Sequence, residues 1–427
     1  MNKHDDTYDA FLAILKEELI SATGCTEPIS IALAAAKAKE VLGKEPLRVD
    51  VRVSESIIKN AKSVIVPNTN NLKGIKVATS AGIIVGKSIR CLDVISEVND
   101  SDQEAIETFL NHTHIDVGPI DSEYVFDVQM TVYHGDDYAK VRIINHHTNF
   151  VLIEHNHEIL LAKDYVHETI GKDQKKSQLT VKAIVDFAET VEISEIKPLL
   201  DAQIENNMRI ADEGLNKNYG ANIGSVLMKS DPNHLKNKAK AMAAAASDAR
   251  MGGSKLPVTI VSGSGNQGIT ASIPVVVYAR ALNVKADTLY RALVISNLVT
   301  IHQKTGVGSL SAYCGAVFSG AGSGAGIAYL HGGKFEEIAH TIVNALAIIS
   351  GMICDGAKPS CAAKIATAVD TGILGYEMYL DGQEFLGGDG IIAKGVEETI
   401  RNVGRLARDG MRLTDKEIVK IMTEKDC

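Results

Sequence analysis

Apolar residues between positions 5 and 20 fall on one stripe, Phe11, Leu12, Leu15 and Leu19, with acids opposite, which is the pattern of an amphipathic helix. The segment SATGCTEP (21–28) interrupts it. Thr26 and Pro28 then supply start signals for a second helix through IALAAAKAKEVLG, which Gly43 ends. From Leu47 the period changes to two: RVDVRVS reads as a strand. IKVATSAGIIVG (75–86) and the helix-like DQEAIETFLNH follow. Residues 125–153 read as a β-meander, VFDVQMTVY, YAKVRIIN and FVLIE, with turns at 134–137 and at HHTN. The charged run 172–177 reads as a linker, and beyond it nearly every segment has helical periodicity.

These periods predict an α+β chain. An N-terminal helical pair (1–45) carries Cys25 and is expected to pack on the C-terminal domain. A smaller α/β domain (46–175) follows, then a large all-helical C-terminal domain (178–427). No repeat of fixed period is present.

Composition narrows the function. The chain has 427 residues, 45% hydrophobic and 23% charged, enough for a large core divided among more than one unit. A net charge of -9 and a pI near 5.8 argue against nucleic acid or an anionic membrane as partner. That leaves a small-molecule substrate, with a homo-oligomer open. Two uncharged stretches, 256–279 and 305–330, are long enough to cross a bilayer. The first carries Ser262, Ser264, Asn266, Gln267, Pro257 and Pro274, and the second is mostly Gly, Ala and Ser, so both read as segments buried in a helical domain. The acidic start lacks an export signal and the six cysteines are scattered without a disulfide framework, so a cytoplasmic protein is expected.

Four features carry candidate chemistry. Cys314, Cys354 and Cys361 sit in text rich in small residues, SAYCGA, MICDGAK and PSCAAK. Three thiolates can hold a soft metal centre with one position free; a three-cysteine zinc site and three packed core cysteines are the alternatives. Cys25 precedes a helix N-terminus, whose dipole lowers a thiol pKa, while Glu27 opposes it. The loop SGSGNQG, with Ser262, Ser264, Asn266 and Gln267, has the donors of a carboxylate- or phosphate-binding nest. Lys304 is the only cation between Arg291 and Lys334, suited to a substrate carboxylate or to a solvent-facing helix end. The pairs His112/His114, His146/His147 and His155/His157 fall at turns and strand ends, where polar residues belong, and Cys91 in SIRCLDVIS reads as core.

GCTEP, SGSGNQG, HQKTGVGSLSAYCGA and CDGAKPSCAAK, in that order, resemble the L-cysteine desulfidase family. The C-terminal half of that family is similar to the alpha part of bacterial iron–sulfur L-serine dehydratases. The resemblance covers nearly the whole chain. It implies a [4Fe-4S] cluster on Cys314, Cys354 and Cys361, with Cys25 as catalytic base, and elimination of hydrogen sulfide from L-cysteine to give pyruvate and ammonia without pyridoxal phosphate. An iron–sulfur L-serine or L-threonine dehydratase is the alternative, and a non-catalytic zinc- or cluster-binding protein a further one. Two departures favour cysteine: GCTEP replaces the Ser-rich, His-containing motif of the serine enzymes, and the last two ligand cysteines lie closer together. The terminal Cys427, tethered to a charged tail, is a candidate cap for the open iron.

Overall fold

The structure, a computed structural model, describes residues 1–3, 5–164, 173–308 and 310–424. Cys427 lies outside the described residues. The N-terminal segment forms α1 (Asp6–Glu18), β1 (Ser21–Thr23) and α2 (Thr26–Leu42). Gly43 caps α2 in the left-handed conformation (φ 68°), where a residue without Cβ is least strained. The apolar stripe of α1 docks through Tyr8 and Phe11, both fully buried, with edge-to-face contacts to Phe187 at 5.3 and 5.5 Å between ring centroids. Burying such side chains contributes roughly 1.5–3 kcal/mol each.

The α/β unit contains β2 (Arg48–Val53), α3 (Glu55–Ala61), α4 (Ile75–Val85), α5 (Asp100–His112), β3 (His114–Pro119), β4 (Asp127–His134), β5 (Asp137–Ile144), β6 (Phe150–His155) and β7 (Glu158–Ala162). Its sheet has the order β3-β2-β4-β5-β6-β7. β2 and β3 are parallel, joined through α3 to α5, and the other pairs are antiparallel. The alternation of Val49, Val51 and Val53 puts those side chains in the core, where α2 and α4 cover the sheet. The expected meander is β4 to β6; β2 and then β3 extend it on one side and β7 on the other.

The helical unit follows with α6 (Val181–Thr190), α7 (Ile193–Asn216), α8 (Ile223–Ser230), α9 (Leu235–Met251), β8 (Pro257–Thr259), α10 (Gly265–Ala281), α11 (Ala286–Thr305), α12 (Ala316–Leu330), α13 (Phe335–Ile348), α14 (Cys361–Leu380), α15 (Val396–Arg405) and α16 (Arg412–Glu424). The expectation of an all-helical unit needs one correction: LPVTIV supplies β8, which pairs antiparallel with β1 and ties the N-terminal segment to this unit. Every residue of α12 is buried. Small residues let its backbone touch that of α14: a Cβ on Gly372 would lie 2.0 Å from the Gly320 carbonyl oxygen. Among the described residues no helix is long and apolar enough to cross a membrane. Cys91 is exposed rather than core, because the short helical turn Ser88–Asp93 directs Leu92 inward in its place.

Candidate active site

Four thiols from separate parts of the chain line one cavity of about 110 Å³. That is small beside the roughly 300–1,000 Å³ of drug-sized ligand pockets, and it suits a small occupant. Cys314 and Cys354 are held side by side by a two-residue ladder: Cys314 N–H donates to Met352 O (2.8 Å) and Cys354 N–H to Ala312 O (2.6 Å). Cys361 opens α14. Their own hydrogen bond separates the first two thiols, raising Cys314 and lowering Cys354; Lys59 and Lys364 add positive charge on the Cys354 side. Lys59 is buried, reaches Cys354 O (3.4 Å) and pairs with Asp415 of α16, while Lys364 donates to Ile353 O (2.6 Å).

Cys25 is the N-cap residue of α2 and 3% exposed. Its thiol pKa is raised well above the ordinary value, first by burial and then by the charge of Glu27, with Arg250 pulling the other way. The lowering expected from the helix dipole is thereby corrected: lost hydration and an adjacent carboxylate outweigh a partial charge at the helix end. The thiol donates to Glu27 Oε2 (3.1 Å), which also accepts from Thr26 Oγ1 (3.2 Å), while Oε1 accepts from Asn60 Nδ2 (3.1 Å). Burial works to raise Glu27, but His147, the thiol hydrogen bond and Arg250 bring it below the usual carboxylate value. Burial also lowers His147, which keeps that imidazole neutral near pH 7, so the hydrogen bonds and Arg250 carry most of the stabilisation of the Glu27 charge.

The loop at Ser262 turns through two positive φ angles, +49° at Ser262 and +73° at Gly263, and Ser264 caps α10. Ser262, Ser264, Asn266 and Gln267 all reach the cavity wall, and so does Lys304 from the end of α11. Lys304 is 9% exposed, so the solvent-facing reading of this lysine is set aside.

Four further wall residues escaped sequence reasoning: Glu27 as a hydrogen-bonding partner of Cys25, Asn60 from α3, Arg250 from α9 and His147 from the turn between β5 and β6. His147 corrects the reading of that histidine pair as ordinary turn residues. Its Nε2 is shut off from solvent without a partner, whereas its neighbour His146 is exposed. Six buried side-chain polar atoms lack partners among the described residues, and three belong to this wall: Asn60 Oδ1, His147 Nε2 and Gln267 Oε1. Buried polar atoms are normally satisfied, so such a concentration marks a place built for a ligand.

A family model described as "Serine dehydratase alpha chain" matches residues 87–420. The chain belongs to the serine dehydratase alpha chain family. Among its relatives, a UPF0597 protein of Desulfitobacterium hafniense is 57% identical over 99% of this chain and 98% of its own length. UPF0597 proteins of Lachnoclostridium phytofermentans and Treponema denticola are 46% and 41% identical, each covering at least 97% of this chain and 99% of the relative. The match to the serine dehydratase alpha chain model includes Cys314, Cys354, Cys361, Lys304, Arg250, His147 and the Ser262 loop. Cys25, Glu27 and Asn60 precede it, so the model's match takes in only part of the cavity wall.

Proposed function

We propose that this protein is an L-cysteine desulfidase: it holds a [4Fe-4S] cluster on Cys314, Cys354 and Cys361 and eliminates hydrogen sulfide from L-cysteine, giving pyruvate and ammonia. The observation that carries the reading is the presence of those three thiols and the Cys25–Glu27 pair on one small cavity. The donor set fits such a cluster. Two lysines beside Cys354 offset thiolate charge. Among the described residues no group of three or more His, Cys, Asp or Glu side chains is preassembled around a metal ion; Cys314, Cys354 and Cys361 would be the ligands of a cluster, and they line the same cavity. When bound, the cluster supplies a Lewis acid toward the substrate's β-sulfur.

The chain's own residues do the rest. The Ser262–Gln267 loop and Lys304 orient the amino acid and stabilise charge that grows as the Cα proton leaves. As the Cys25 sulfur takes the Cα proton, its own thiol proton passes along the hydrogen bond to Glu27 Oε2, so no free thiolate has to form first. The Cα–H and Cβ–S bonds break, sulfide leaves, and the Cys25–Glu27 pair returns its extra proton to solvent. The aminoacrylate that remains tautomerises and adds one water to give pyruvate and ammonia, so no oxidant or reductant is consumed.

An L-serine or L-threonine dehydratase is the second reading, favoured by the description of the matching family model. One anaerobic assay separates the two. Sulfide and pyruvate from L-cysteine, exceeding pyruvate from L-serine or 2-oxobutyrate from L-threonine, is the expected result. The reverse order overturns the choice of cysteine, and no turnover of any of the three overturns the enzymatic reading.

A further inference from the structure

Arg250 lines the same cavity but has no part in the proposed proton transfers. It comes from the last turn of α9, is 2% exposed, and its guanidinium lies against the backbone where α10 begins: a Cβ on Gly265 would sit 2.4 Å from Arg250 Nε. Nε donates to Gly24 O (3.0 Å), and one terminal nitrogen donates to Asn266 Oδ1 (3.1 Å). Of the five N–H groups of a guanidinium, these bonds use two and leave three. No carboxylate among the described residues lies within ion-pair distance of it; Glu27 acts on it only from farther away.

A buried charge without a paired counter-ion costs several kcal/mol, so such an arginine facing a cavity is poised for an anion that arrives with the ligand. A guanidinium fork also matches a carboxylate better than a lysine or hydroxyl does. The opposite requirement is met on the same wall. Asn60 Oδ1 and Gln267 Oε1, on side chains 6% and 5% exposed, have no donor. Cations and unsatisfied acceptors around so small a space describe the two ends of a zwitterion.

We propose that Arg250 is the anchor for the α-carboxylate of a free amino acid, steadied by Asn266, and that the orphaned oxygens of Asn60 and Gln267 receive its ammonium group. This rests on the proposed function and assigns its substrate contacts. The Ser262 loop then positions the guanidinium and closes the cavity rather than holding the carboxylate alone. Because α9 and α10 carry the anchor while α2 carries Cys25, the bond from Arg250 to Gly24 O fixes the carboxylate site relative to the base.

The test is isothermal titration of the full-length protein, purified anaerobically, with L-alanine, which has no leaving group, and with L-alaninamide, which has no carboxylate. The unaltered protein is expected to bind L-alanine at least about 30-fold more tightly than the amide. Arg250→Gln is expected to lose that preference while keeping its thermal midpoint, and Arg250→Lys to recover part of it. Gly265→Ala, which pushes the guanidinium aside without changing its charge, should weaken L-alanine more than the amide, and serves if the Arg250 variants do not fold. Equal binding of the two ligands by the unaltered protein, or full preference in Arg250→Gln, overturns the anchor and leaves the desulfidase reading standing. No binding of L-alanine together with no turnover of L-cysteine overturns both.

Discussion

Replacing Glu27 with Gln separates two effects that act on Cys25 in opposite directions. The carboxylate raises the thiol's pKa, so its removal makes the thiol ionise at lower pH. The carboxylate is also the acceptor for the thiol proton in the proposed reaction, so its removal slows turnover. The structural cost is modest. Three hydrogen bonds end on Glu27, and each loses about 1 kcal/mol when its acceptor becomes neutral. Relief of a buried charge returns part of this, leaving a net change of about 1–2 kcal/mol. Loss of a positioned proton acceptor removes about 10²–10⁴-fold in kcat, or roughly 3–5 kcal/mol of barrier lowering. The assay pairs kcat for sulfide release with the pH dependence of Cys25 alkylation by iodoacetamide, read by peptide mass. Alkylation should become faster at a given pH while kcat falls. A rise in kcat alongside faster alkylation would refute the argument, since Glu27 would then only restrain a thiolate that acts by itself.

Other outcomes follow from single features. Cys25→Ala should keep the brown absorbance of an anaerobically purified protein and abolish turnover, whereas Cys354→Ser should lose the absorbance; colour lost in the first variant would make Cys25 a ligand. Gly372→Val places a side chain against the Gly320 carbonyl and should destabilise by about 3 kcal/mol or prevent soluble expression, measured by denaturant unfolding. Asp248 is pushed up to about 6 by burial, although its carboxylate accepts from Gly224 N–H (2.9 Å). Its folded pKa lies above the unfolded one, so the native state holds a proton that the unfolded state has released, and stability falls as pH rises from about 4 to 6. Asp248→Asn should remove that slope and be about 1–2 kcal/mol more stable at pH 7, with the two proteins converging below pH 4; equal slopes in urea unfolding would contradict this.

Local periodicity carried the fold a long way. The stripe of α1, the Gly43 stop, the alternation of β2 and the meander are written in residues close together in sequence. The thiols were legible for a different reason: Cys314, Cys354 and Cys361 stand in text rich in small residues, and Cys25 stands at a helix start. Asn60, His147 and Arg250 were not, since each looks ordinary in its own segment, and Glu27 was read only as a charge opposing the helix dipole. Arg250 reads as a cation in the last turn of a helix, and His147 as a polar turn residue beside an exposed twin. Only the meeting of α2, α3, α9 and the β5–β6 turn gives them a common purpose, and no local pattern encodes that meeting. Glu27 had the clearest signal, two residues after Cys25 at a helix start. Cys91 misled through its apolar neighbours, because a tight turn chose Leu92 for the interior.

The seam between α12 and α14 has a consequence for the thiols at its edge. Cys314 stands just before one of these helices and Cys361 begins the other, and between the two helices main chain rests on main chain at Gly320, Gly324 and Gly372. Side chains can change rotamer and let their neighbours drift; a peptide carbonyl against a Cα has no such freedom. The spacing of the two backbones that carry these thiols is thus gauged by the covalent skeleton itself, and repacking elsewhere in the molecule should leave it unchanged until the helices part altogether.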